Sequence, residues 1–354
     1  MILIDKYGGV YMEKYEILKN LIAFDTIKDK QNKEIIDYIE KVLLEKGLKT
    51  DYKGKYLIMS TEKEPALGFL GHTDTVEFID GWDTNPLELS KKDGKLYGLG
   101  TCDMKGGIAA FIDAIIETDL SSLKRGIKLY FTYDEEIGFG GAYDIIKRNE
   151  KFPELMIFGE PTNNEVLVGS KGLLEIELSF KGIKAHSSNP EKGKSANMNA
   201  VKFLYELNTF YNEEIRKDVD NNYEIPYTTM NVGLINGGSA KNSVPASCNV
   251  TIDFRPIKSE HINLIKEKIN ELSVKYDCEF NVFEEVEPFC NEVEFAAQVK
   301  TANFITEASL VKNVTRVILG TGPVTPHEIN EHITELSYDK LVEQYKEFIE
   351  KLCV

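Results

Sequence analysis

Seven side chains that can bind a metal ion or move a proton occur in order along the chain, mostly in segments rich in glycine or proline. They are His72, Asp74, Asp103, Glu135, Glu136, Glu160 and His327. Imidazole and carboxylate groups are zinc ligands in hydrolases, and a carboxylate that is not used for coordination can act as a general base. The set therefore predicts metal-assisted hydrolysis.

His72 and Asp74 stand two residues apart at the end of the apolar run LGFLGHTDTV. On a strand, residues two apart project from the same face, so these side chains can meet. A zinc-bound imidazole needs a partner for its other ring nitrogen, and a carboxylate is such a partner. We therefore interpret His72 as a metal ligand and Asp74 as the group that orients its ring. A polar strand terminus would explain either residue alone.

Asp103 lies in GLGTCDMKGG, a glycine-flanked loop that runs directly into a predicted helix. A carboxylate at such a position can bridge two cations, while the glycines allow backbone turns that a side chain would block. A phosphate-binding loop is the competing hypothesis, but neither glycine pattern of such loops is present. An ordinary helix N-cap stays open for Asp103 taken alone.

Glu135 and Glu136 belong to three consecutive acids after the apolar run in YFTYDEEIGFGG. Mutual repulsion would raise their pKa values, and a bound cation would remove that cost. If the chain is extended there, neighbouring side chains face opposite ways, so one can bind metal while the other faces the attacking water. An exposed acidic turn explains this segment equally well.

The remaining candidates are one acid and several histidines. Glu160 ends the run MIFGE and is followed at once by a proline, which stiffens the chain. His327, in TGPVTPHEINEH, is the candidate for a second imidazole ligand, and His332 in the same segment competes with it. His186, in KAHSSNP, falls in a different part of the chain, and His261 is most simply a surface residue on a helix.

Short apolar runs alternate with helical patterns in the first half of the chain, as in an α/β domain. Strands are predicted over residues 67–76, 127–136 and 155–161, and a helix entered through glycines over 104–118. In open α/β sheets, ligands bind beyond the carboxyl ends of strands, where the candidate ligands fall. Separate segments therefore point to one edge of the sheet.

From residue 173 the pattern changes to strand, helix, strand, strand, helix, strand, which is the order of a ferredoxin-like unit. The α/β pattern resumes after this unit, so we expect it to be inserted into the first domain. The predicted division is a catalytic domain over residues 12–172 and 287–354 and an inserted domain over 173–286.

Composition and charge exclude several classes of protein. The chain has 354 residues, 42% of them hydrophobic, and no long apolar run, which suits two globular domains and no membrane span. The net charge of −16 argues against nucleic acid and anionic membranes as partners, because these bind clustered Lys and Arg. The five scattered cysteines form no Cys-x-x-Cys pair and favour a reducing cytoplasm.

Residues 1–11 do not resemble a secretory signal, because Asp5 and Lys6 interrupt the apolar start and no small-residue cleavage site follows. Residues 7–12 could be encoded by a ribosome-binding sequence shortly before a start codon. We therefore expect residues 1–11 to be a non-native or upstream-translated leader and Met12 to be the true start.

Taken together, the motifs resemble those of the M20 metallopeptidases, a family that contains deacylases, dipeptidases and carboxypeptidases of amino-acid derivatives. The similar segments are, in order, GHTDTV, GLGTCDMKGG, DEEIGFGGA, GEPT, GSKG, the AHSS segment, the NGGSAKNSVP link and the late histidine. The resemblance spans residues 12–354. It implies an α/β, zinc-peptidase-like catalytic domain with a mixed central sheet flanked by helices, plus an inserted ferredoxin-like α+β lid and dimerisation domain.

The resemblance also implies a ligand set. His72 and Glu160 would bind one zinc ion, Glu136 and His327 would bind the other, and Asp103 would bridge the two. Cobalt would be a substitute for zinc. The peptide bond that follows Asp103 would be cis, as in similar enzymes.

Other roles follow from the same resemblance. Glu135 would be the general base, and His186 would reach across a homodimer to stabilise the oxyanion in the partner's site. Asn242 and Arg255 match positions that contact substrate, and the guanidinium fork suits a carboxylate. Lys171 is a weaker candidate for the same task.

The chain departs from the family near its end. Ile329 stands where relatives usually have proline, although Asn330 and Glu331 keep the register of the motif. This register favours His327 over His332 as the ligand. Because of this departure, the resemblance does not predict the shape of the substrate pocket.

By resemblance, the expected reaction is hydrolysis of the amide bond of an N-acyl amino acid in cytoplasmic amino-acid biosynthesis. N-acetylornithine, an intermediate of arginine biosynthesis, is the best match for the substrate. Succinyl-diaminopimelate, acetyl-lysine and short peptides are alternatives within the family. A binding or regulatory protein on a retired hydrolase scaffold is the alternative from another class, and the presence of Glu135 argues against it.

Overall fold

The computed structural model of the chain describes residues 3–4, 10–11, 13–28, 30–291, 293 and 300–354. Of the predicted leader it describes two short strands that pair antiparallel, β1 (Leu3–Ile4) and β2 (Val10–Tyr11). The other residues of the leader, and Met12, lie outside the described residues. The predicted start of the natural chain therefore stays a prediction.

The chain forms two compact units. One consists of Met1–Leu167 and Thr306–Val354, and the other of Val168–Ile305. The second unit thus begins at residue 168 where the sequence pattern predicts 173, and it ends at 305 where the pattern predicts 286. The additional residues include the strands Gly169–Ser170 and Phe289–Cys290, which pair antiparallel. Strands of two residues are too short to be recognised from periodicity.

The helices and the remaining strands are numbered in chain order. The helices are α1 (Glu16–Ile22), α2 (Asn32–Glu45), α3 (Lys105–Glu117), α4 (Glu135–Gly138), α5 (Gly140–Lys147), α6 (Ala196–Phe210), α7 (Ser259–Tyr276) and α8 (Glu335–Cys353). The strands are β3 (Lys49–Lys53), β4 (Leu57–Ser60), β5 (Pro65–His72), β6 (Ser90–Lys92), β7 (Lys95–Tyr97), β8 (Gly126–Thr132), β9 (Leu155–Phe158), β10 (Gly169–Ser170), β11 (Leu173–Lys181), β12 (Thr229–Gly237), β13 (Ser247–Arg255), β14 (Cys278–Val286), β15 (Phe289–Cys290), β16 (Thr315–Ile318) and β17 (His332–Thr334). Within the part of the chain that the structure describes, no helix combines the length and apolar character needed to span a bilayer.

A six-stranded mixed sheet forms the centre of the first unit, in the order β16-β9-β5-β8-β4-β3. Strands β16, β9, β5 and β8 run parallel, whereas β4 and β3 pair antiparallel with their neighbours. His72 at the end of β5 pairs with Thr132 at the end of β8, and Leu70 pairs with Phe158 at the end of β9. The carboxyl ends of these three strands therefore share one edge. The predicted α/β fold with a mixed central sheet is confirmed.

The core of the first unit lies where helices pack against this sheet. Strand β5 is buried along its length after Pro65, and α3 is buried on most sides because most of its residues are apolar or small. Tyr345 of α8 joins the two, since its ring centroid lies 5.8 Å from that of Phe69 in β5 and 5.0 Å from that of Phe111 in α3. Burial of one such side chain stabilises the fold by about 1.5–3 kcal/mol.

Asp113 of α3 is a half-buried carboxyl at the margin of this core. It accepts a 2.6 Å hydrogen bond from the hydroxyl of Tyr338 on α8. Burial raises the pKa of Asp113 from 3.8 to about 6, although the hydrogen bond from Tyr338 opposes this rise. Because the folded pKa lies above the unfolded value, the stability contributed by the neutral carboxyl is complete below about pH 4 and is lost as the pH rises through about 6.

Asp113→Asn is therefore expected to raise the free energy of unfolding by about 3 kcal/mol at pH 8 and to change it little at pH 4. Urea unfolding at the two pH values measures the difference. Tyr338→Phe is the matched control, because it removes the hydrogen bond to the ionised carboxyl and should deepen the loss of stability at high pH. An increase in the free energy of unfolding of Asp113→Asn that is the same at both pH values would contradict this account.

The second unit contains a four-stranded antiparallel sheet in the order β12-β13-β11-β14. Its chain order, β11-α6-β12-β13-α7-β14, is the predicted ferredoxin-like arrangement. Strands β11 and β13 alternate between buried and more exposed residues, and their buried side chains share one core with those of α6 and α7. Ser195 caps α6 by accepting a hydrogen bond from the N–H of Met198.

The prediction that His261 is a surface residue is wrong. His261 is 3% exposed in the first turn of α7. Its Nδ1 lies 2.6 Å from Thr228 Oγ1, and its Nε2 lies 3.2 Å from Asp218 Oδ2. The segment that precedes β12 therefore covers the start of α7, which the helical pattern alone does not reveal.

Candidate metal centre

The shared edge of the parallel strands carries most of the candidate ligands. His72 is the last residue of β5, Glu136 follows the end of β8, and Glu160 follows the end of β9. The apolar runs that form these strands stop where the polar side chains begin, so each ligand is held by a buried strand behind it. The side chains reach the edge without a long flexible connection.

Asp103 approaches the same edge from the loop before α3. Glycine permits this approach, because a Cβ at Gly107 would lie 2.1 Å from the carbonyl oxygen of Gly159. The start of α3 therefore packs directly against the segment that carries Glu160. The peptide bond between Asp103 and Met104 is cis, as the family resemblance implies.

The first cluster of ligand atoms consists of His72, Asp103 and Glu160. Nε2 of His72 lies 3.2 Å from Oδ1 of Asp103 and 3.9 Å from Oε2 of Glu160. His72 and Glu160 are 0% and 5% exposed, so both side chains are held within the protein.

The second cluster consists of Asp103, Glu136 and His327. Nε2 of His327 lies 3.1 Å from Oε2 of Glu136 and 3.7 Å from Oδ2 of Asp103. The competing histidine is elsewhere: the ring of His332 lies 5.0 Å from that of Tyr97, and its Nδ1 contacts the carbonyl of Asn330. The structure therefore brings His327 to the acids and leaves His332 on β17.

The two clusters have the composition and spacing that divalent metal ions require. Around a tetrahedral ion with ligands at about 2.0–2.1 Å, neighbouring ligand atoms lie about 3.3 Å apart. The nitrogen-to-oxygen distances in the two clusters range from 3.1 to 3.9 Å, so small side-chain shifts would bring all of them to this value. Asp103 is shared, since Oδ1 faces His72 and Oδ2 faces His327. The residues present thus fit a pair of ions with a common carboxylate.

Asp74 connects the first cluster to the acids after β8. Nδ1 of His72 lies 3.1 Å from the backbone carbonyl of Asp74 and 3.5 Å from its Oδ1. Both oxygens of the Asp74 carboxylate accept hydrogen bonds, one from the N–H of Glu135 and one from the N–H of Glu136, each at 3.2 Å. Burial raises the pKa of Asp74, but the contact with His72 and these N–H groups outweigh it and lower the pKa overall.

Glu135 directly precedes Glu136 in the chain but belongs to neither set of ligands. The expectation of an extended backbone here is wrong: β8 ends at Thr132, Asp134 adopts a left-handed conformation with φ 58°, and Glu135 begins α4. Glu135 and Glu136 therefore leave a helical turn at different angles, which still separates their side chains.

Negative charge accumulates at this edge. Burial raises the pKa of Glu135 well above its usual range, and the charge of Asp103 adds to this rise. The same two causes, in the same order, raise the pKa of Glu160. Divalent cations at the two clusters would offset this repulsion.

Glu307 is a buried carboxyl near this site that the sequence motifs do not reveal. It is 1% exposed, and its Oε2 accepts a 2.8 Å hydrogen bond from the hydroxyl of Thr132 at the end of β8. Burial raises the pKa of Glu307 to about 7. It lies in a single 3₁₀ turn, Glu307–Ser309, so no strand end or helix pattern marks it in the sequence.

Two predicted residues of the inserted unit lie together. The N–H of Ser187, next to His186, donates a 3.0 Å hydrogen bond to the carbonyl of Asn242. His186 is exposed, and its Nδ1 lies 2.8 Å from the hydroxyl of Ser188. The structure thus pairs the backbone next to His186 with that of Asn242 and leaves the imidazole exposed.

Arg255 and Lys171 both have partners within the inserted unit. The fork of Arg255 donates two 3.0 Å hydrogen bonds to the carboxylate of Asp253. Lys171 is 1% exposed, and its ammonium donates a 2.8 Å hydrogen bond to the carbonyl of Tyr227. Contact with a substrate would require Arg255 to exchange partners, and it would require Lys171 to leave a buried position. Their predicted roles stay predictions.

Comparisons with known proteins agree with this geometry. Acetylornithine deacetylase of Pasteurella multocida (strain Pm70) is 30% identical over 384 aligned positions, which cover 97% of this chain and 98% of that protein. The crystal structure of a tripeptidase from Staphylococcus aureus has a TM-score of 0.79 at 21% identity and covers 95% of this chain and 96% of that one.

A second solved structure is that of a Bacillus subtilis protein described as a dinuclear metal-binding peptidase from the M20 family. Its TM-score is 0.70 at 13% identity, and it covers 95% of this chain and 96% of that one. Residues 68–351 match the family model described as Peptidase family M20/M25/M40. This match spans most of the chain and includes both ligand clusters, so the chain belongs to the M20/M25/M40 family of metal-dependent peptidases and deacylases.

Proposed function

We propose that the protein hydrolyses the amide bond of an N-acyl amino acid, and that N-acetylornithine is its substrate. The observation that carries this proposal is a pair of ligand clusters that share Asp103. Glu135 belongs to neither cluster, and the charges of His72, Asp103 and Glu136 all act on the pKa of its carboxyl. Similarity to the acetylornithine deacetylase of Pasteurella multocida over nearly the whole chain supports the choice of substrate.

We assign one metal ion to His72, Asp103 and Glu160, and a second to Asp103, Glu136 and His327. Imidazole and carboxylate ligands suit zinc, and cobalt is the expected substitute. When bound, the two ions would lower the pKa of a water molecule toward about 7 and polarise the scissile carbonyl.

Glu135 is the proposed general base. Its carboxylate takes a proton from the attacking water while the water oxygen bonds to the carbonyl carbon of the substrate. It then gives this proton to the amide nitrogen as the carbon–nitrogen bond breaks, which releases the carboxylic acid and the free amine. Asp74 orients this step, because its carboxylate holds the backbone N–H groups of Glu135 and Glu136.

The inserted unit holds its candidate residues in two separate places. His186 and Asn242 lie beyond the end of the sheet where β11 ends and β13 begins, whereas Arg255 is the last residue of β13. The nine residues of β13 span about 27 Å, which exceeds the length of a small N-acyl amino acid. We infer that the two groups act from different copies of the chain, in a homodimer.

Other substrates and one other class of protein are the alternatives. Succinyl-diaminopimelate, acetyl-lysine and short peptides share the amide bond and the free carboxylate, so the ligand clusters do not distinguish between them. A retired scaffold that only binds ligands would have no use for Glu135, which coordinates neither proposed ion. The proposal therefore favours a working hydrolase.

A panel of acetyl-, succinyl- and formyl-amino acids and of dipeptides tests the substrate. With zinc or cobalt present, we expect N-acetylornithine to be hydrolysed with a kcat/KM of about 10⁴ M⁻¹ s⁻¹ or more, as measured by release of the amine. A chelator should abolish this release. Faster hydrolysis of a succinylated compound or a dipeptide would show that N-acetylornithine is not the preferred substrate. No hydrolysis of any member would contradict the proposed reaction.

A further inference from the structure

Glu331 is a buried carboxylate that the proposed mechanism does not use. Its side chain is 2% exposed. Oε1 accepts hydrogen bonds from the N–H of Cys102 at 2.7 Å and the N–H of Asp103 at 3.1 Å, and Oε2 accepts one from the N–H of Gly100 at 2.9 Å. Its backbone carbonyl accepts a fourth from the N–H of Gly98 at 3.1 Å. Four N–H groups of one loop, residues 98–103, thus donate hydrogen bonds to Glu331.

This loop, called the Asp103 loop below, is irregular and depends on such an acceptor. Gly100 has φ +83°, so the chain turns there through a conformation that side chains disfavour. The turn directs three N–H groups toward one point. A carboxylate has enough lone pairs to accept all three, and hydrogen bonds to a charged acceptor are stronger than those to a neutral one.

Glu331 also belongs to the segment that carries a ligand of the second cluster. His327 lies four residues before it, in the connection between β16 and β17. The side chain of His327 is 53% exposed, and its backbone is left-handed with φ 60°. Burial therefore does little to hold His327 in place. The hydrogen bonds of Glu331 join its segment directly to the Asp103 loop.

The first cluster has a different support. His72 and Glu160 extend from the ends of neighbouring parallel strands, and both side chains are buried. Only Asp103 of that cluster depends on the loop. In the second cluster, Asp103 and His327 both lie on segments that Glu331 joins.

We propose that Glu331 is a positioning residue that sets the spacing of Asp103 and His327 and thereby the affinity for the second metal ion. This inference rests on the two-metal site of the proposed function. The first ion depends on Glu331 less, because strand ends hold two of its three ligands.

Glu331→Gln tests the proposal with little change in shape. An amide has one acceptor oxygen, so in either orientation its NH₂ group faces at least one backbone N–H of the Asp103 loop. We expect binding of the second ion to weaken about tenfold to a hundredfold and binding of the first to weaken less. Calorimetric titration of the metal-free protein with zinc measures both affinities.

Amide hydrogen exchange of the metal-free protein gives a readout that does not depend on activity. The N–H groups of Gly100, Cys102 and Asp103 should be protected in the native protein and should exchange faster in Glu331→Gln. Asp113→Asn is the matched control, because it also changes a carboxyl to an amide, at a half-buried position in the same unit. It should not speed the exchange of these three N–H groups, and it should leave both zinc affinities unchanged.

The outcomes separate this inference from the proposed function. Native protein that binds fewer than two zinc ions would refute the two-metal site itself. The positioning role alone would be refuted if the native protein binds two ions and Glu331→Gln binds both with the native affinities. An equal loss of affinity at both positions would refute it as well. If Glu331→Gln does not fold, Glu331→Asp carries the test, because it keeps the charge and shortens the reach by one methylene.

Discussion

The Glu135→Gln enzyme is expected to keep both metal ions and to lose about 10²- to 10⁴-fold in kcat. The amide has the size of the carboxylate but cannot take a proton from water. Glu135 belongs to neither ligand cluster, so the change should leave both ions in place. The hydrogen bond from its backbone N–H to Asp74 does not involve the side chain, so the turn should also keep its shape.

Metal analysis and steady-state kinetics on the hydrolysed substrate measure this result, and KM should change little. Glu136→Gln is the matched control, since it makes the same chemical change at the next residue. Glu136 lies 3.1 Å from His327 in the second cluster, so this variant should lose the second ion. Full turnover in Glu135→Gln would refute the role of Glu135 as the base. Loss of metal from this variant would indicate that Glu135 is a metal ligand.

Much of the fold could be predicted because hydrophobic periodicity and the polar or turn-forming residues that end each run indicate the same elements over long segments. The apolar run before His72 stops at a polar residue, and this change marks the end of β5. The ferredoxin-like unit is recognisable from two-residue alternation between helical patterns. Its bounds are not, because the two-residue strands Gly169–Ser170 and Phe289–Cys290 carry no periodic signal.

The positions of the candidate ligands were predictable for the same reason, whereas their surroundings were not. The left-handed turn at Asp134 depends on local conformation that an acidic run does not reveal. Glu307 and Glu331 are buried by contacts with residues distant in the chain, so their own neighbours in sequence carry no sign of it. The contact between Arg255 and Asp253, in contrast, could be predicted from the sequence. Asp253 lies two residues earlier on the same strand, so both side chains project from one face.

Asp103→Ala is expected to remove both metal ions, whereas His72→Ala and His327→Ala should each weaken one. The reason is the shared carboxylate, whose Oδ1 lies 3.2 Å from Nε2 of His72 and whose Oδ2 lies 3.7 Å from Nε2 of His327. Without it, each proposed site keeps one histidine and one glutamate. The single-histidine variants keep the shared carboxylate, so the opposite site retains three ligands.

The ratio of metal to protein after dialysis distinguishes these variants, and thermal unfolding gives a second measure. A bound ion stabilises the folded protein by about 2.7 kcal/mol when its free concentration is 100 times its Kd. Zinc should therefore raise the Tm of the native protein and of the Glu135→Gln control, but leave that of Asp103→Ala unchanged. One tightly held ion in Asp103→Ala would show that a cluster binds metal independently, and Asp103 would then not be the bridge.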